Sequence, residues 1–369
     1  MRTLVTGGAG FIGTHLVARL VESGRQVVVL DSLESQVHGG AEPALPDGTR
    51  FVEGDVADER AASVSLEGVS EIVHLASLVG VGQSMYEIER YVRGNTHATA
   101  AFLETVLSLP ERPRRLVVAS SMSIYGEGEY SCLEHGSLAP APRPERQLVE
   151  RRWECLCPLC GEPLAPSPTR ETKPLIPTSV YAVTKRDHEE LSLVIGRSYG
   201  IPTVALRFFN VYGPGQALSN PYTGVAAIFA SRLLNQRRPI VFEDGQQSRD
   251  LIHVSDIVEG IVRALDSDAA VDHAINLGTG RPTTVNEVAG ALADGLDLEI
   301  EPERLGEYRA GDIRHCYADV TGARELLGFE ARVELADGMR DLVRWLQEQE
   351  AVDLVERARS ELVARGLAR

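Results

Sequence analysis

A tyrosine and a lysine four positions apart, Tyr181 and Lys185, could carry out acid–base chemistry. This spacing places both side chains on one face of a helix, where the lysine charge would lower the pKa of the tyrosine. Ser121 follows a predicted strand, Leu116–Val118, and could hydrogen bond to the same substrate oxygen. The three residues therefore predict a site that moves a proton at neutral pH. Taken alone, the Tyr-Lys pair also fits an ordinary solvated helix face.

A glycine-rich turn near the N-terminus could hold a dinucleotide. The segment Gly8-Ala9-Gly10-Phe11-Ile12-Gly13 fits the Gly-x-Gly-x-x-Gly pattern, and Gly7, Gly10 and Gly13 repeat a three-residue spacing. Because the turn lies between a predicted strand, Leu4–Thr6, and a predicted helix, 11–23, the helix N-terminus would face the pyrophosphate. Phe11 and Ile12 would contact the cofactor from the start of that helix. A structural turn is the alternative interpretation.

An aspartate after the second predicted strand indicates which dinucleotide binds. Asp31 lies 18 residues after Gly13, where a carboxylate would accept hydrogen bonds from the ribose hydroxyls and repel a 2′-phosphate. The pattern predicts NAD rather than NADP. Ligands bind at the carboxyl ends of parallel strands, so five more residues at such ends are expected near the cofactor. They are Asp55, Val56, Leu75, Ala76 and Ser77.

Four of the five cysteines crowd into 29 positions, at Cys132, Cys155, Cys157 and Cys160. Cys132-x-x-His135 and Cys157-x-x-Cys160 together offer four ligands, of the types that hold structural zinc. A zinc ion would order a short segment that has too few apolar residues to order itself. Free thiols and a redox-labile disulfide are the alternatives, and Cys155 leaves the choice of ligands open.

Alternating short apolar strands and longer helical segments predict the elements that position these residues. The pattern over the first 125 residues indicates an α/β fold, a Rossmann-type doubly wound parallel sheet. We expect an NAD-binding domain at 1–207, interrupted by a Cys-rich insertion at 127–176. After the insertion, Ser179 would be the N-cap of a helix. A smaller C-terminal α/β substrate domain is expected at 208–369, with some segments returning to the first domain. Its last part, 334–369, has amphipathic helical spacing.

Composition limits the partners of this chain. The 369 residues are 43% hydrophobic and 24% charged, which excludes disordered and fibrous classes. Lys and Arg number 37 and Asp and Glu 53, a net charge of −16, which argues against nucleic acid and anionic membranes. Without a recognisable targeting or membrane-spanning segment, the expected location is cytoplasmic. An anionic small molecule would need a local cationic pocket.

The sequence resembles the extended short-chain dehydrogenase/reductase family, and within it the NAD-dependent nucleotide-sugar epimerases and dehydratases. The resemblance covers nearly the whole chain and implies NAD, a nucleotide-diphosphate sugar and a homodimer. Besides the glycine turn, Asp31, Ser121 and the Tyr-Lys pair, it rests on His74-Leu75-Ala76, Asn95, Arg207–Pro214, Arg249–Val254, Asn276–Gly280 and Arg309–Asp312.

The resemblance also implies roles for individual residues. Tyr181 would be the acid–base, Lys185 would tune it and bind the nicotinamide ribose, and Ser121 would position the sugar hydroxyl. Asn95 would belong to the cofactor site. The residues implied for the nucleotide sugar are Ser121, Ser123, Asn210, Asn220, Arg249, Arg309 and Cys316, of which Asn210, Arg249 and Arg309 would hold the diphosphate.

Two departures within the family indicate which reaction to expect. Dehydratases carry Asp-Glu directly after the catalytic hydroxyl residue, whereas this chain has Met122 and Ser123. The sequence therefore resembles 4-epimerases, which oxidise C4 to a ketone and reduce it again. The long interval of 60 residues from Ser121 to Tyr181 and its Cys-Pro-x-Cys-Gly element resemble dTDP-L-rhamnose 4-epimerases. UDP-glucose 4-epimerases also fit, and UDP-glucose, UDP-N-acetyl sugars and dTDP-deoxysugars all stay open as substrates. A dehydratase or reductase, and a non-catalytic NAD-binding sensor, are the alternatives.

Overall fold

A parallel sheet of seven strands lies at the centre of the described part of the chain. The structure is a computed structural model that describes residues 1–40, 43–218, 220, 222, 224–349 and 352–369. The strands of this and the smaller sheets are β1 (Arg2–Thr6), β2 (Gln26–Asp31), β3 (Arg50–Glu53), β4 (Glu71–His74), β5 (Arg115–Ser121), β6 (Glu129–Cys132), β7 (Gly136–Leu138), β8 (Ala165–Ser167), β9 (Thr203–Phe208), β10 (Asn210–Tyr212), β11 (Ile240–Val241), β12 (Ser248–His253), β13 (Ala274–Leu277), β14 (Pro282–Thr284), β15 (Glu303–Arg304) and β16 (His315–Cys316).

Helices connect the strands and cover the sheet. A π-helical turn, Val92–His97, joins α5 to α6, and a 3₁₀ turn, Met122–Tyr125, follows β5. The helices are α1 (Phe11–Glu22), α2 (Ser35–His38), α3 (Glu59–Ser65), α4 (Val81–Ser84), α5 (Ile88–Tyr91), α6 (Ala98–Ser108), α7 (Glu145–Val149), α8 (Val180–Tyr199), α9 (Val225–Leu234), α10 (Val254–Asp266), α11 (Val285–Gly295), α12 (Thr321–Leu327), α13 (Leu335–Leu346) and α14 (Val355–Ala364).

The strand order of the central sheet is β13-β9-β5-β4-β1-β2-β3, and all its neighbouring strands run parallel. From β1 the chain runs outward to β3 and then returns past β1 to β4, which makes the β1/β4 border the point where the order reverses. Ligands of doubly wound sheets bind at the carboxyl ends of the strands beside such a point. The predicted α/β fold with a Rossmann-type parallel sheet is confirmed.

Apolar side chains on the two faces of this sheet form its core. Val5 and Val73 pack toward α1 and α10, whereas Leu4 and Ile72 pack toward α3 and α6. All four side chains are fully buried. Because both faces are covered, the strands consist of nearly continuous apolar residues, as parallel strands require.

Three smaller sheets occur among the described residues. β10, β12 and β14 form one, and β16 adds to β12 so that Arg249 lies opposite Cys316. β11 pairs with β15. The insertion contains the third sheet, antiparallel, in the order β7-β6-β8.

The C-terminal half of the chain contributes to the central sheet as well. β13 pairs with β9 at the sheet edge, with Asn276 opposite Arg207. The boundary predicted after residue 207 stays a prediction. In the tail, α13 buries Leu342 and Leu346, and α14 buries Leu362.

Candidate active site

The glycine turn after β1 is shaped for close approach of a ligand. Gly7 has a φ of +69°, and a Cβ added there would lie 2.8 Å from the backbone N of Ala76. A Cβ at Gly13 would lie 2.3 Å from the carbonyl O of Gly7. Side chains are therefore excluded from both positions, and the backbone itself forms the surface of the turn.

The turn leads directly into helix α1. Its N-cap residue is Gly10, which has no side chain that could accept hydrogen bonds from the N–H groups of the first turn, at Phe11 and Ile12. Uncapped N–H groups and the positive end of the helix dipole favour an anion at this place. The arrangement can hold a phosphate group.

Asp31 lies at the end of β2, beside the glycine turn. Its carboxylate accepts hydrogen bonds from the backbone N–H groups of Ala9 and Leu33, each at 3.0 Å. These bonds fix the side chain at the rim of the turn. Asp55, after β3, is exposed and accepts from the Ala57 N–H at 2.8 Å, whereas Val56 is buried.

The loop after β4 contains Leu75, Ala76 and Ser77 and is held by Asn95. The Asn95 side chain accepts from the Leu78 N–H at 2.7 Å and donates to Thr184 Oγ1 at 2.9 Å. Asn95 is fully buried in the π-helical turn. It connects this loop to α8, a positioning role that the sequence did not indicate.

The three predicted catalytic residues come together where β5 ends and α8 begins. Ser121 is the last residue of β5, and the Ser123 hydroxyl donates to it at 2.9 Å. α8 starts after Ser179, whose hydroxyl accepts from the Ala182 N–H at 3.1 Å, so the predicted N-cap is confirmed. Tyr181 lies one residue after the start of α8, and Lys185 follows one turn later.

Burial controls the ionisation of this group. Desolvation raises the pKa of Tyr181 to about 12, although a hydrogen bond with Ser121 lowers it. Desolvation also lowers the pKa of Lys185 to about 7, opposed by the charge of Glu189. The net shift is upward because the loss of water dominates, and the predicted effect of the Lys185 charge on this pKa stays a prediction.

Two histidines lie beside Lys185: His74, which the sequence places at the end of a strand, and His188, a candidate that sequence reasoning missed. His188 Nδ1 lies 3.4 Å from Lys185 Nζ, and its ring stacks on His74 with centroids 5.2 Å apart. His74 Nδ1 contacts Thr6 Oγ1 at 2.7 Å, and burial lowers the pKa of His74 to about 3. Burial also lowers the pKa of His188 well below its usual value, so both rings are neutral. The spacing of Lys185 and His188 on one helix was the available signal.

Beneath the site, a buried ion pair joins α8 to β9. Arg207 Nη2 lies 2.6 Å from Glu189 Oε1, and the Ser120 hydroxyl donates to Glu189 Oε2 at 2.7 Å. Arg207 also donates to Tyr125 Oη at 2.7 Å and to the Glu171 carbonyl at 2.9 Å. The pair holds β5, α8, β9 and the end of the insertion together.

Two of the predicted diphosphate ligands converge on one carboxylate. Arg309 Nη2 lies 2.7 Å from Asp312, and Arg249 Nη2 lies 3.4 Å from it. The two charges lower the pKa of Asp312 against the effect of burial. Arg249 also donates to the carbonyls of Ile313 and Arg314, at 2.8 and 3.0 Å, and its side chain is 13% exposed against 41% for Arg309. Arg309 is the more accessible cation.

Of the remaining predicted substrate residues, Asn210 and Cys316 lie on strands that pair with β12, which carries Arg249, whereas Asn220 contacts other residues. Asn210 Oδ1 is buried and has no hydrogen-bond partner among the described residues, as expected of an acceptor that awaits a ligand. Asn220 Oδ1 accepts from Gln36 Nε2 at 3.2 Å and from the Tyr222 N–H at 3.1 Å. Cys316 is buried, with its Sγ 3.6 Å from Thr169 Oγ1.

The four predicted metal ligands come together in the insertion. One ligand atom from each of Cys132, His135, Cys157 and Cys160 lies within 4.8 Å of all the others. His135 Nδ1 is 3.5 Å from the Sγ atoms of Cys132 and Cys157, and Cys132 Sγ is 3.7 Å from Cys160 Sγ. Cys155 is outside this group; it interacts with Tyr130, and burial raises its pKa to about 12.

Buried charges attach the insertion to the rest of the molecule. Arg143 Nη2 lies 2.8 Å from Glu243, and Arg314 Nη1 lies 3.1 Å from the same carboxylate. Glu154 pairs with Arg314 at 2.5 Å and with His315 at 3.2 Å. Arg314 and His315 directly precede Cys316. The insertion thus supports the strand that carries one predicted substrate residue, a link that sequence reasoning missed.

Within the part of the chain that the structure describes, no helix is long and apolar enough to cross a bilayer.

The chain is similar to proteins of known family over nearly its whole length. It matches the model of the NAD dependent epimerase/dehydratase family at residues 3–145 and 157–278. It is 32% identical over 353 residues to the dTDP-L-rhamnose 4-epimerase of Burkholderia thailandensis, with 94% of this chain and 95% of that protein covered.

Solved structures are similar to the same extent. The crystal structure of UDP-glucose 4-epimerase from Thermotoga maritima with UDP-glucose has a TM-score of 0.77 and 29% identity, and covers 94% of this chain and 99% of that one. The UDP-glucose 4-epimerase of Thermus thermophilus in complex with NAD has a TM-score of 0.75 and 29% identity, with 95% and 100% covered.

Proposed function

The chain belongs to the NAD-dependent epimerase/dehydratase family, and from this premise we propose that it is an NAD-dependent nucleotide-sugar 4-epimerase. The proposal rests on one observation: Ser121, Tyr181 and Lys185 lie at the carboxyl ends of the sheet strands, the same side of the sheet as the glycine turn. Met122 and Ser123 follow Ser121, so the chain has no acid–base pair there for an elimination. That favours epimerisation over dehydration.

The residues around the glycine turn fit NAD. The turn would lose its shape with a Cβ at Gly7 or Gly13, and the uncapped start of α1 suits the pyrophosphate. Asp31, at the rim of the turn, would accept hydrogen bonds from the adenosine ribose. When bound, NAD would supply reversible hydride transfer to and from C4 of the sugar.

The side chains of this protein would manage the proton and the orientation. Tyr181 would take the proton of the sugar 4-hydroxyl and give it back, while Ser121 hydrogen bonds to the same oxygen. Lys185 would hold the nicotinamide ribose and, when charged, favour the phenolate of Tyr181. Arg309, Arg249 and Asn210 would hold the diphosphate.

The substrate class we propose is a dTDP-deoxyhexose or a UDP-hexose. The similarity to the dTDP-L-rhamnose 4-epimerase and to a UDP-glucose 4-epimerase supports both classes. The small side chain of Cys316, buried against Thr169, supports a roomy pocket beside the sugar ring.

Interconversion of nucleotide sugars without added reductant tests the function. Enzyme with bound NAD is incubated with dTDP-L-rhamnose, UDP-glucose and UDP-N-acetylglucosamine, and the C4 epimers are measured by NMR, with Tyr181→Phe as the control. We expect one pair to interconvert with no net change in NADH absorbance. Stoichiometric NADH consumption would identify a reductase, and exchange of the C5 hydrogen with solvent a dehydratase. Binding of NAD with no turnover of any sugar would favour the sensor.

We further propose a structural zinc ion held by Cys132, His135, Cys157 and Cys160. Three thiols and one imidazole at these distances match the usual ligands of structural zinc. Although desolvation opposes it, hydrogen bonds from the N–H groups of Cys160 and Leu159 lower the pKa of Cys157 to about 6. The zinc content of the purified protein tests this assignment.

A homodimer is also proposed. Val183 and Val194, which lie eleven residues apart on α8, are 45% and 53% exposed, and the neighbouring α5 exposes Ile88. These apolar side chains share one surface that a second copy could cover. Light scattering of the wild type and of Val194→Glu would test it, since the charged variant should be monomeric.

A further inference from the structure

The last fifteen residues, 355–369, consist of α14 and the tail that follows it, and we call them the C-terminal clasp. At one end the clasp contacts the segment 80–86, which contains α4 and lies beside the catalytic residues. At its other end it contacts the segment 307–310, which contains Arg309. The first of these regions contacts Tyr181 through Ser84, and the second contains Arg309, so the clasp connects two parts of the proposed site.

Three polar side chains join the clasp to the catalytic side. Tyr86 Oη and Tyr222 Oη lie 2.6 Å apart, and both donate to Glu361 Oε2, at 2.9 and 3.1 Å. The hydrogen bond from Tyr86 lowers the pKa of Glu361, so the carboxylate is the charged acceptor of both phenols. Arg365 places its guanidinium 4.2 Å from the Tyr86 ring centre.

This cluster is close to the catalytic tyrosine. The Tyr181 N–H donates to Ser84 Oγ at 3.0 Å, and Ser84 is two residues from Tyr86. A Cβ on Gly80 would lie 3.1 Å from Cβ of Tyr222, and one on Gly82 would lie 3.5 Å from Leu362. Helix α14 therefore packs directly on the segment 80–86, which supports Tyr181.

At the other end, the tail forms a short antiparallel pairing with the Arg309 segment. The Tyr308 N–H donates to the Arg369 carbonyl at 2.7 Å, and the Arg369 N–H returns a bond to the Tyr308 carbonyl at 3.0 Å. The Ala310 N–H donates to the Leu367 carbonyl at 2.8 Å. Arg369 also pairs with Glu145 of the insertion. The backbone on both sides of Arg309 is thus fixed by the clasp.

We propose that the clasp is a movable wall of the nucleotide-sugar site, which opens to admit the substrate and closes over it. This inference rests on the nucleotide-sugar function proposed above. Only Ala358, Leu362 and Ala368 of the clasp are buried; Val355 and Leu367 are half-buried, and its charged side chains are exposed or half-buried. Segments with few buried apolar contacts open locally at low free-energy cost. Closure would hold Arg309 at the diphosphate and the Tyr86 loop at the sugar.

Hydrogen exchange with the nucleotide diphosphates UDP and dTDP and with UDP-glucose as probes tests this motion on the NAD-bound protein. We expect slower exchange in 355–369 and in 305–316 together when a probe binds. Protection of 305–316 without 355–369 would overturn the clasp while leaving the proposed function intact. Protection in neither segment with any probe would overturn the proposed function, and the clasp with it.

A matched pair of variants on α14 provides the second test. Glu361→Gln replaces one carboxylate oxygen, an acceptor, by an amide NH2 group, a donor, beside the two phenols. Ser360→Ala changes a neighbouring exposed residue and is the control. We expect Glu361→Gln to raise KM for the nucleotide sugar about tenfold with kcat and NAD content nearly unchanged, and Ser360→Ala to match the wild type. Equal KM values in both variants, with equal melting temperatures, would contradict a substrate-closing role.

Discussion

The catalytic region and the Cys-rich insertion are held together by different kinds of contact. Ser121 and Tyr181 lie on β5 and α8, elements of seven and twenty residues in a largely apolar core. The strands of the insertion have three or four residues, and its apolar cluster is Tyr130, Cys132, Cys155, Cys157 and Leu164. Packing in the catalytic region is distributed over many side chains, so a single polar residue there can act in catalysis without being needed for stability. In the insertion, the structure depends on a few individual side chains.

The largest effect is expected from Tyr181→Phe, which removes the titrating oxygen and keeps the packing of the ring. Turnover should fall by about 10²-fold or more, while zinc content and melting temperature stay near those of the wild type. Steady-state kinetics, metal analysis and calorimetry on the same sample measure all three. Near-normal turnover would remove Tyr181 from the mechanism.

Cys157→Ser should do the reverse, with structure changing before chemistry. Metal analysis should find about one zinc per chain in the wild type and none in the variant. Exchange in 127–176 should become faster, while the central sheet stays protected, because the insertion would lose the contact that orders it. Thr105→Ser, a buried hydroxyl on α6, is a matched control. A metal-free wild type with an ordered insertion would contradict the zinc assignment.

Asp31→Asn should change the cofactor preference of the catalytic region and leave the insertion unaffected. The amide keeps one oxygen, which can accept from one of the two backbone N–H groups, and it no longer has the charge that repels a 2′-phosphate. The preference for NAD over NADP should fall about tenfold, measured as a ratio of dissociation constants. An unchanged ratio would mean that Asp31 does not face the ribose.

The smallest effect is expected from Lys185, a proposed functional residue whose burial lowers the free energy of unfolding of the well-packed catalytic region. Burial lowers the pKa of Lys185 from 10.5 to about 7, so between these values the unfolded chain binds more protons and stability rises with pH. Lys185→Met removes the buried charge, and the cofactor-free variant should be about 1 kcal/mol more stable to unfolding than the wild type near pH 7. Urea unfolding at pH 7 and pH 10 measures it. A difference that does not shrink toward pH 10 would refute this explanation.

Local patterns allowed much of the fold and site to be predicted. Continuous apolar strands and helical spacing identified β1, α1 and β2, and Ser179 was a visible N-cap because capping depends on neighbouring residues. The Cys-x-x-His and Cys-x-x-Cys spacings identified four side chains that the fold brings within 4.8 Å.

Contacts between distant residues could not be predicted in the same way. The pairs Glu154–Arg314 and Glu361–Tyr86 join residues far apart in the chain, and no periodicity in the sequence links them. The raised pKa of Tyr181 could not be predicted either, because spacing reveals proximity but not the loss of water.

The position of β13 at the edge of the central sheet has a consequence for synthesis on the ribosome. Residues 274–277 pair with β9, so the sheet that starts at residue 2 is completed only after about three quarters of the chain has been made. Until then β9 has an unpaired edge, which could pair with other nascent chains. We therefore expect truncated chains that end before residue 274 to aggregate rather than to accumulate as a folded cofactor-binding fragment.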